Sequence, residues 1–222
     1  MNQYQGTWIP PYYPCPIPQS QMPAENPARI KTPIQALDTS SLLPITDMEL
    51  ANLNPPVLEL VPEAKFLVMR SYCEDDIHKS VKYGIWTSEA NQKVDRLLAQ
   101  GGPLYLFFSV YGSSLFVGCA EVSSAVNFKA KFLGWYPDFS AMGCFSVRWI
   151  FVRDLSYEIV ERVQTVRGVP VTEAEDAEEL DFKNGKKMVR RFMDERTAKS
   201  MIEDFTYYNQ KEEFIRGLQI SS

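Results

Sequence analysis

Residues 104–122, LYLFFSVYGSSLFVGCAEV, limit the possible folds most. Two β-rich apolar runs joined at YGSS predict a hairpin. KFLVMR (65–70) before it and FSVRWIFV (145–152) after it are further runs of strand length, and SYEIVERVQTV is expected to carry one more strand. Helical signals interrupt this pattern. EDDIHKSVKYG has acidic residues at a helix start and Gly84 at its end, and SEANQKVDRLLAQGG repeats that grammar. There Ser88 is a plausible cap, Val94, Leu97 and Leu98 share one face, and Gly101 is the terminator. The stretch from Gly185 to Leu218 is helical in composition, with Met188, Phe192 and Met193 on one face and the basic residues of KKMVRR opposite. These elements predict a mixed α/β domain with a strongly curved sheet.

Twelve of the fifteen prolines lie in residues 1–62. Proline blocks helix and ladder alike, so residues 1–62 read as a disordered or extended arm ahead of one folded domain. No apolar run approaches the roughly 20 residues that span a bilayer, and no charged segment precedes an apolar one at the N-terminus. A soluble protein of the cytoplasm or nucleus is expected. Cys15, Cys73, Cys119 and Cys144 are far apart and His78 is the one histidine, which argues against a structural metal site or a disulfide framework.

The net charge of −5 speaks against duplex DNA, where affinity depends on neutralising many phosphates. Residues 63–222 carry 21 basic and 23 acidic side chains, and six of those acids fall within 173–181. Apart from that acidic stretch the domain is modestly basic, which suits a short single strand.

Of the four tryptophans, Trp149 shares a strand face with Phe145, Val147 and Phe151 and reads as core. Trp86 follows a helix terminus, and Trp135 sits in the loop GWYPDF; neither belongs to an alternating strand. Two such rings either pack internally or sandwich one flat ligand ring. No nucleophile has a recognisable base partner, DDIH lacks metal-ligand spacing, and His78 reads as a packing residue, so an enzyme is not expected.

The order and spacing of EDDIH, KY, IW, GPLYLFFSV and FSVRWIFVRD resemble the YTH family of RNA-binding domains over roughly residues 63–213. That resemblance implies a folded domain of residues 63–213 with an open, barrel-like six-stranded sheet packed by helices, which leaves 214–222 as a tail. It implies binding of N6-methyladenosine in single-stranded messenger RNA through an aromatic cage, without a cofactor. Trp86 and Trp135 match the two cage faces. The family's third wall falls four residues before Phe145, at Ala141, which is too small to close a cage. Met142 is the first substitute, with Tyr136 and Phe139 as alternatives.

By position, Tyr72 and Thr87 match residues whose backbone approaches the adenine edge, and Asp76 one beside ring atom N1. An ionised carboxylate only accepts, so Asp76 needs a proton, a water or a ribose hydroxyl; a charge at the start of a helix is its other reading. Arg70 and Lys93 match phosphate-contacting positions. Glu175 stands about where a further family arginine is expected, and Tyr111 replaces a small amide in the hairpin. Two other readings stay open: a YTH domain that binds an unmodified RNA motif, and a protein-interaction module with a vestigial pocket. The arm is expected to recruit protein partners.

Overall fold

The strands from residue 65 onward read as nearly unbroken apolar runs because both faces of their sheet are covered. The computed structural model describes residues 42–132, 143–195 and 199–214, with the backbone alone of 35–37 and 215–220. Its elements are β1 (Gln35–Leu37), α1 (Asp47–Ala51), β2 (Lys65–Ser71), α2 (Glu74–Tyr83), β3 (Ile85–Trp86), α3 (Asn91–Ala99), β4 (Leu104–Val110), β5 (Leu115–Val122), β6 (Ala130–Phe132), β7 (Phe145–Ser156), α4 (Tyr157–Val160), β8 (Glu178–Leu180), α5 (Phe182–Asp194) and α6 (Phe205–Ile220). Six strands form one curled sheet in the order β3-β7-β5-β4-β2-β8, while β1 pairs with β6. The pair β2 and β4 is parallel, and the other neighbours in the large sheet are antiparallel.

Alternate residues of each strand feed two cores. Leu67, Met69, Leu106, Phe108 and Trp149 pack with α2 and α3 on one side. Phe66, Val68, Phe107, Phe116 and Phe151 pack with Met188, Val189 and Phe192 of α5 on the other. Gly185 lets α5 lie directly on the sheet, since a Cβ there would stand 2.2 Å from the Phe66 ring.

Four sequence expectations about the fold need correction. Phe151 does not share a face with Trp149, because the β5–β7 register shifts between Cys119 and Ala120, and the extra residue, Ile150, sends Phe151 to the opposite core. SYEIVERVQTV is not a strand: β7 runs on to Ser156, whose hydroxyl caps α4 by accepting from the Glu158 amide at 3.3 Å. Residues 42–62 do not hang free as an arm. The Asn54 amide donates to the Ile150 carbonyl at 2.7 Å, and its side-chain oxygen accepts from the Val152 amide at 3.0 Å, beside the bulge. Leu53 packs on one core, and Leu58 and Leu60 on the other. The helix α6 also passes through residue 213 without a break.

No helix of the described residues is long and apolar enough to cross a membrane.

The contact between α2 and α6 centres on His78. Its ring is buried, stacks on Tyr208 at 5.4 Å and meets Phe205 edge-on at 4.7 Å, and Nε2 lies 3.2 Å from Asn209 Oδ1. Burial and the nearby Lys82 push its pKa down to about 4, against weaker opposing effects of Glu212, the Asn209 hydrogen bond and Asp75. Because the folded pKa lies below the unfolded value of 6.5, neutral His78 contributes stability fully above pH 6.5. That contribution is lost as pH falls towards 4. Asp154 and Asp176, both raised to about 6 chiefly by burial, act with opposite sign in the same window. The wild-type melting temperature should therefore fall further than that of His78→Gln between pH 7 and pH 4.5. Parallel pH profiles in thermal melts would remove His78 from that role.

Candidate nucleic-acid interface

The α2–β3 junction places the first tryptophan. Gly84 caps α2 in the left-handed conformation (φ 63°, ψ 33°), and its amide donates to the Ser80 carbonyl at 2.9 Å. The chain then turns so that Trp86 pairs antiparallel with Phe145. A Cβ at Gly84 would sit 3.1 Å from the Val147 carbonyl, so both backbone conformation and space favour glycine. The indole meets Phe108 edge-on at 4.6 Å and is 2% exposed. Trp86 is therefore part of the core as well as the wall of a cavity.

That cavity is lined by Tyr72, Asp76, Trp86 and Thr87 together with Ser88, Glu89, Tyr111 and Asp176. It gathers the end of β2, the first turn of α2, β3 and the β4–β5 turn. Asp76 is fully buried, with Lys79 Nζ 3.4 Å from its carboxylate. Its place in the first turn of α2 sets negative charge against the helix N-terminus. The Thr87 hydroxyl donates to the Gly143 carbonyl at 2.5 Å, and Asn91 Nδ2 donates to the same oxygen at 2.8 Å. This clamp ties β3 to the residue that leads into β7, and it commits the threonine side chain. The Tyr72 hydroxyl is held above its ordinary pKa by burial and then by Glu89 and Asp176. The sequence brought Tyr72, Asp76, Trp86 and Thr87 forward, and the fold brings the four together. Trp135, Ala141 and Met142, with the alternatives Tyr136 and Phe139, lie outside the described residues.

Arg70 is not a surface cation reaching for a phosphate. It is 7% exposed, and its five N–H donors meet five protein acceptors. Nε donates to Ala174 O at 2.8 Å, Nη1 to Ser109 Oγ at 2.9 Å and to the Tyr157 hydroxyl, and Nη2 to Val171 O at 3.3 Å and Thr172 O at 3.0 Å. Its backbone amide donates to Asp176 at 2.8 Å. The sequence missed this role because every acceptor is at least 39 residues away.

Lys93 is partly exposed and pairs with Glu179 at 3.0 Å. Beside it, Arg167 makes a two-pronged pair with Glu178 at 2.8 and 2.9 Å and lies 3.5 Å from Glu175. The Arg167 hydrogen bond holds the Glu178 carboxyl well below its usual range. The acidic stretch 173–181 is thus partly neutralised within its own surface. KKMVRR lies on α5, with Lys186, Lys187, Arg190 and Arg191 exposed.

A family model for the YT521-B-like domain, abbreviated YTH, matches residues 64–193. The chain belongs to the YTH family. It is 35% identical over 168 residues to the YTH domain-containing protein ECT3 of Arabidopsis thaliana, covering 71% of this chain and 34% of that protein. It is 35% identical over 170 residues to YTH domain-containing family protein 2 of Danio rerio, covering 73% and 28%. The chain thus matches about a third of the length of these curated relatives. Among solved structures, the YTH domain of Zygosaccharomyces rouxii MRB1, in complex with N6-methyladenosine RNA, superposes with a TM-score of 0.58 at 28% identity, over 67% of this chain and 97% of that one. The Pho92 YTH domain, at 24% identity and a TM-score of 0.60 over the same shares, has the same fold.

In this YTH domain Arg70 holds the 171–176 segment against the sheet, so its loss strands buried carbonyls. Arg70→Lys keeps the charge but cannot reproduce a five-donor fork. It should cost about 2–4 kcal/mol in urea denaturation, and Arg70→Met, which leaves every one of these acceptors without the guanidinium, about 3–5 kcal/mol. A loss below about 1 kcal/mol in both would return Arg70 to the list of surface phosphate ligands.

Proposed function

We propose that this protein is a non-enzymatic reader of N6-methyladenosine in single-stranded messenger RNA, taking the methylated base into the cavity beside Trp86. The observation that carries this reading is the convergence of Tyr72, Asp76, Trp86 and Thr87 on one cavity of a domain whose fold matches a relative solved with N6-methyladenosine RNA. Trp86 supplies one stacking face, and Trp135 is assigned the other. Each stacking partner is worth on the order of 1–3 kcal/mol whatever the base. Stacking does not choose the methyl. That choice falls to a close-fitting wall, assigned to Met142, and a fitted methyl is worth about 1–3 kcal/mol.

The edge of the base meets backbone more than side chains. Thr87 acts through its main-chain carbonyl, since its hydroxyl is committed to Gly143. Tyr72 approaches with its backbone at the end of β2. Asp76 faces N1 through a water, a proton or a ribose hydroxyl, because two bare acceptors repel. Lys93, already paired with Glu179, adds a modest phosphate contact. The chain outside the domain is assigned to protein partners.

Titration of one short RNA in methylated and unmethylated forms at fixed salt tests the reading. The methylated form should bind about 5- to 150-fold more tightly, and Trp135→Ala should remove most of the affinity for both. Equal affinities would point to methylation-independent RNA binding, and absence of binding to a protein-interaction role.

A further inference from the structure

At the mouth of the cavity one aromatic ring is left over by the reading above. Tyr111 is 45% exposed, unusual for a large side chain next to a buried pocket, and it lines the same cavity as Tyr72 and Trp86. Its ring stands 5.2 Å from that of Tyr72 at an interplanar angle of 39°. The backbone beneath it is fixed. The Tyr111 amide donates to the Ser71 carbonyl at 2.9 Å, continuing the β2–β4 ladder by one residue. The Ser113 amide and hydroxyl both bond the Val110 carbonyl, at 3.1 and 2.8 Å, and the Ser113 hydroxyl accepts from the Leu115 amide at 3.2 Å. Gly112, at φ 79°, lies in the left-handed region that favours glycine, and no atom beyond its chain neighbours lies within 4 Å of where a Cβ would stand, so the turn itself is open.

We propose that Tyr111 is a second stacking platform, which takes the base of a nucleotide flanking the one in the cavity. This inference rests on the proposed RNA-binding role of that cavity. A base leaving the Trp86 pocket along a single strand meets an exposed aromatic face already held in place, so little ordering remains to oppose stacking. Every base has a π-face, so the platform strengthens binding with little sequence preference. It also acts equally on methylated and unmethylated RNA, because Tyr111 is not the residue assigned to meet the methyl. The hydroxyl stays neutral, its pKa raised to about 12 by burial and by Asp176, so it adds no negative charge near the RNA backbone.

The test uses the full chain and a short RNA with one N6-methyladenosine. In a matched set, each of the two nucleotides on either side is replaced in turn by an abasic residue. Wild type should lose about 5- to 10-fold in affinity at one abasic position. Tyr111→Ala should lose the same factor on intact RNA, show no further loss at that position, and keep the wild-type methylated-to-unmethylated ratio. Tyr111→Phe should bind as wild type. The inference is overturned if Tyr111→Ala binds intact RNA as wild type does. It is equally overturned if its loss persists undiminished on every abasic RNA, which would make the ring a support for Tyr72. Equal wild-type affinity for methylated and unmethylated RNA would contradict the methyl-reading role while the abasic comparison still decided Tyr111. No binding by wild type would overturn both.

Discussion

The guanidinium of Arg70 is the interaction on which the site geometry depends. It sits where β2 ends, and it gathers the carbonyls of Val171, Thr172 and Ala174, the Ser109 hydroxyl and the Tyr157 hydroxyl around one buried cation. A buried charge is tolerated when its donors are all met, and here three backbone carbonyls and two side-chain hydroxyls meet them. The result is that the end of β2, the β4–β5 turn and the segment before β8 are fixed relative to one another. Tyr72, Tyr111 and Asp176, which those three segments carry, line one cavity as a consequence.

The second constraint is burial on both sides of the sheet. With α2 and α3 on one face and α5 on the other, most of the sheet is covered on both sides apart from Ser146 and Arg148 of β7, and register shifts at Phe108/Ser109, Phe116/Gly118 and Cys119/Ala120 add to its curvature. Gly118 permits a close approach within the sheet, with Phe151 O 2.3 Å and Trp149 Cζ3 2.8 Å from where a Cβ would stand. That indole also donates to Ser80 Oγ at 3.1 Å, which locks α2 over the sheet. Because α2 ends at Gly84 and runs straight into β3, the position of Trp86 follows from the packing of Trp149.

Local signals made much of this legible in the sequence. The acidic start and glycine end of α2, the YGSS turn and the apolar stripe of α5 each depend on a few adjacent residues, and each appears as read. Trp86 read as either an internally packed ring or a pocket ring, and that it is both was not legible, because its contact with Phe108 crosses from one strand to another. Long-range partners explain the rest. The proline content of residues 42–62 masked the side chain of Asn54, which bonds β7 from about a hundred residues away. Nothing near Arg70 marks it as buried, since its acceptors are carbonyls on a distant loop. The bulge at Ile150 exchanges the faces of Phe151 and its neighbours without any change in hydrophobicity that a periodic pattern could register.

The proposed reader role turns on where the methylated base sits. Backbone amide NMR shifts recorded while N6-methyladenosine nucleoside is added to the full chain, with adenosine as the control, locate it directly. The account predicts that the largest shifts cluster at Tyr72, Asp76, Trp86, Thr87 and Ser88, and that adenosine produces smaller ones at the same residues. Shifts centred on the exposed basic face of α5 around Lys186 and Arg190, with the cavity residues unmoved, would contradict it.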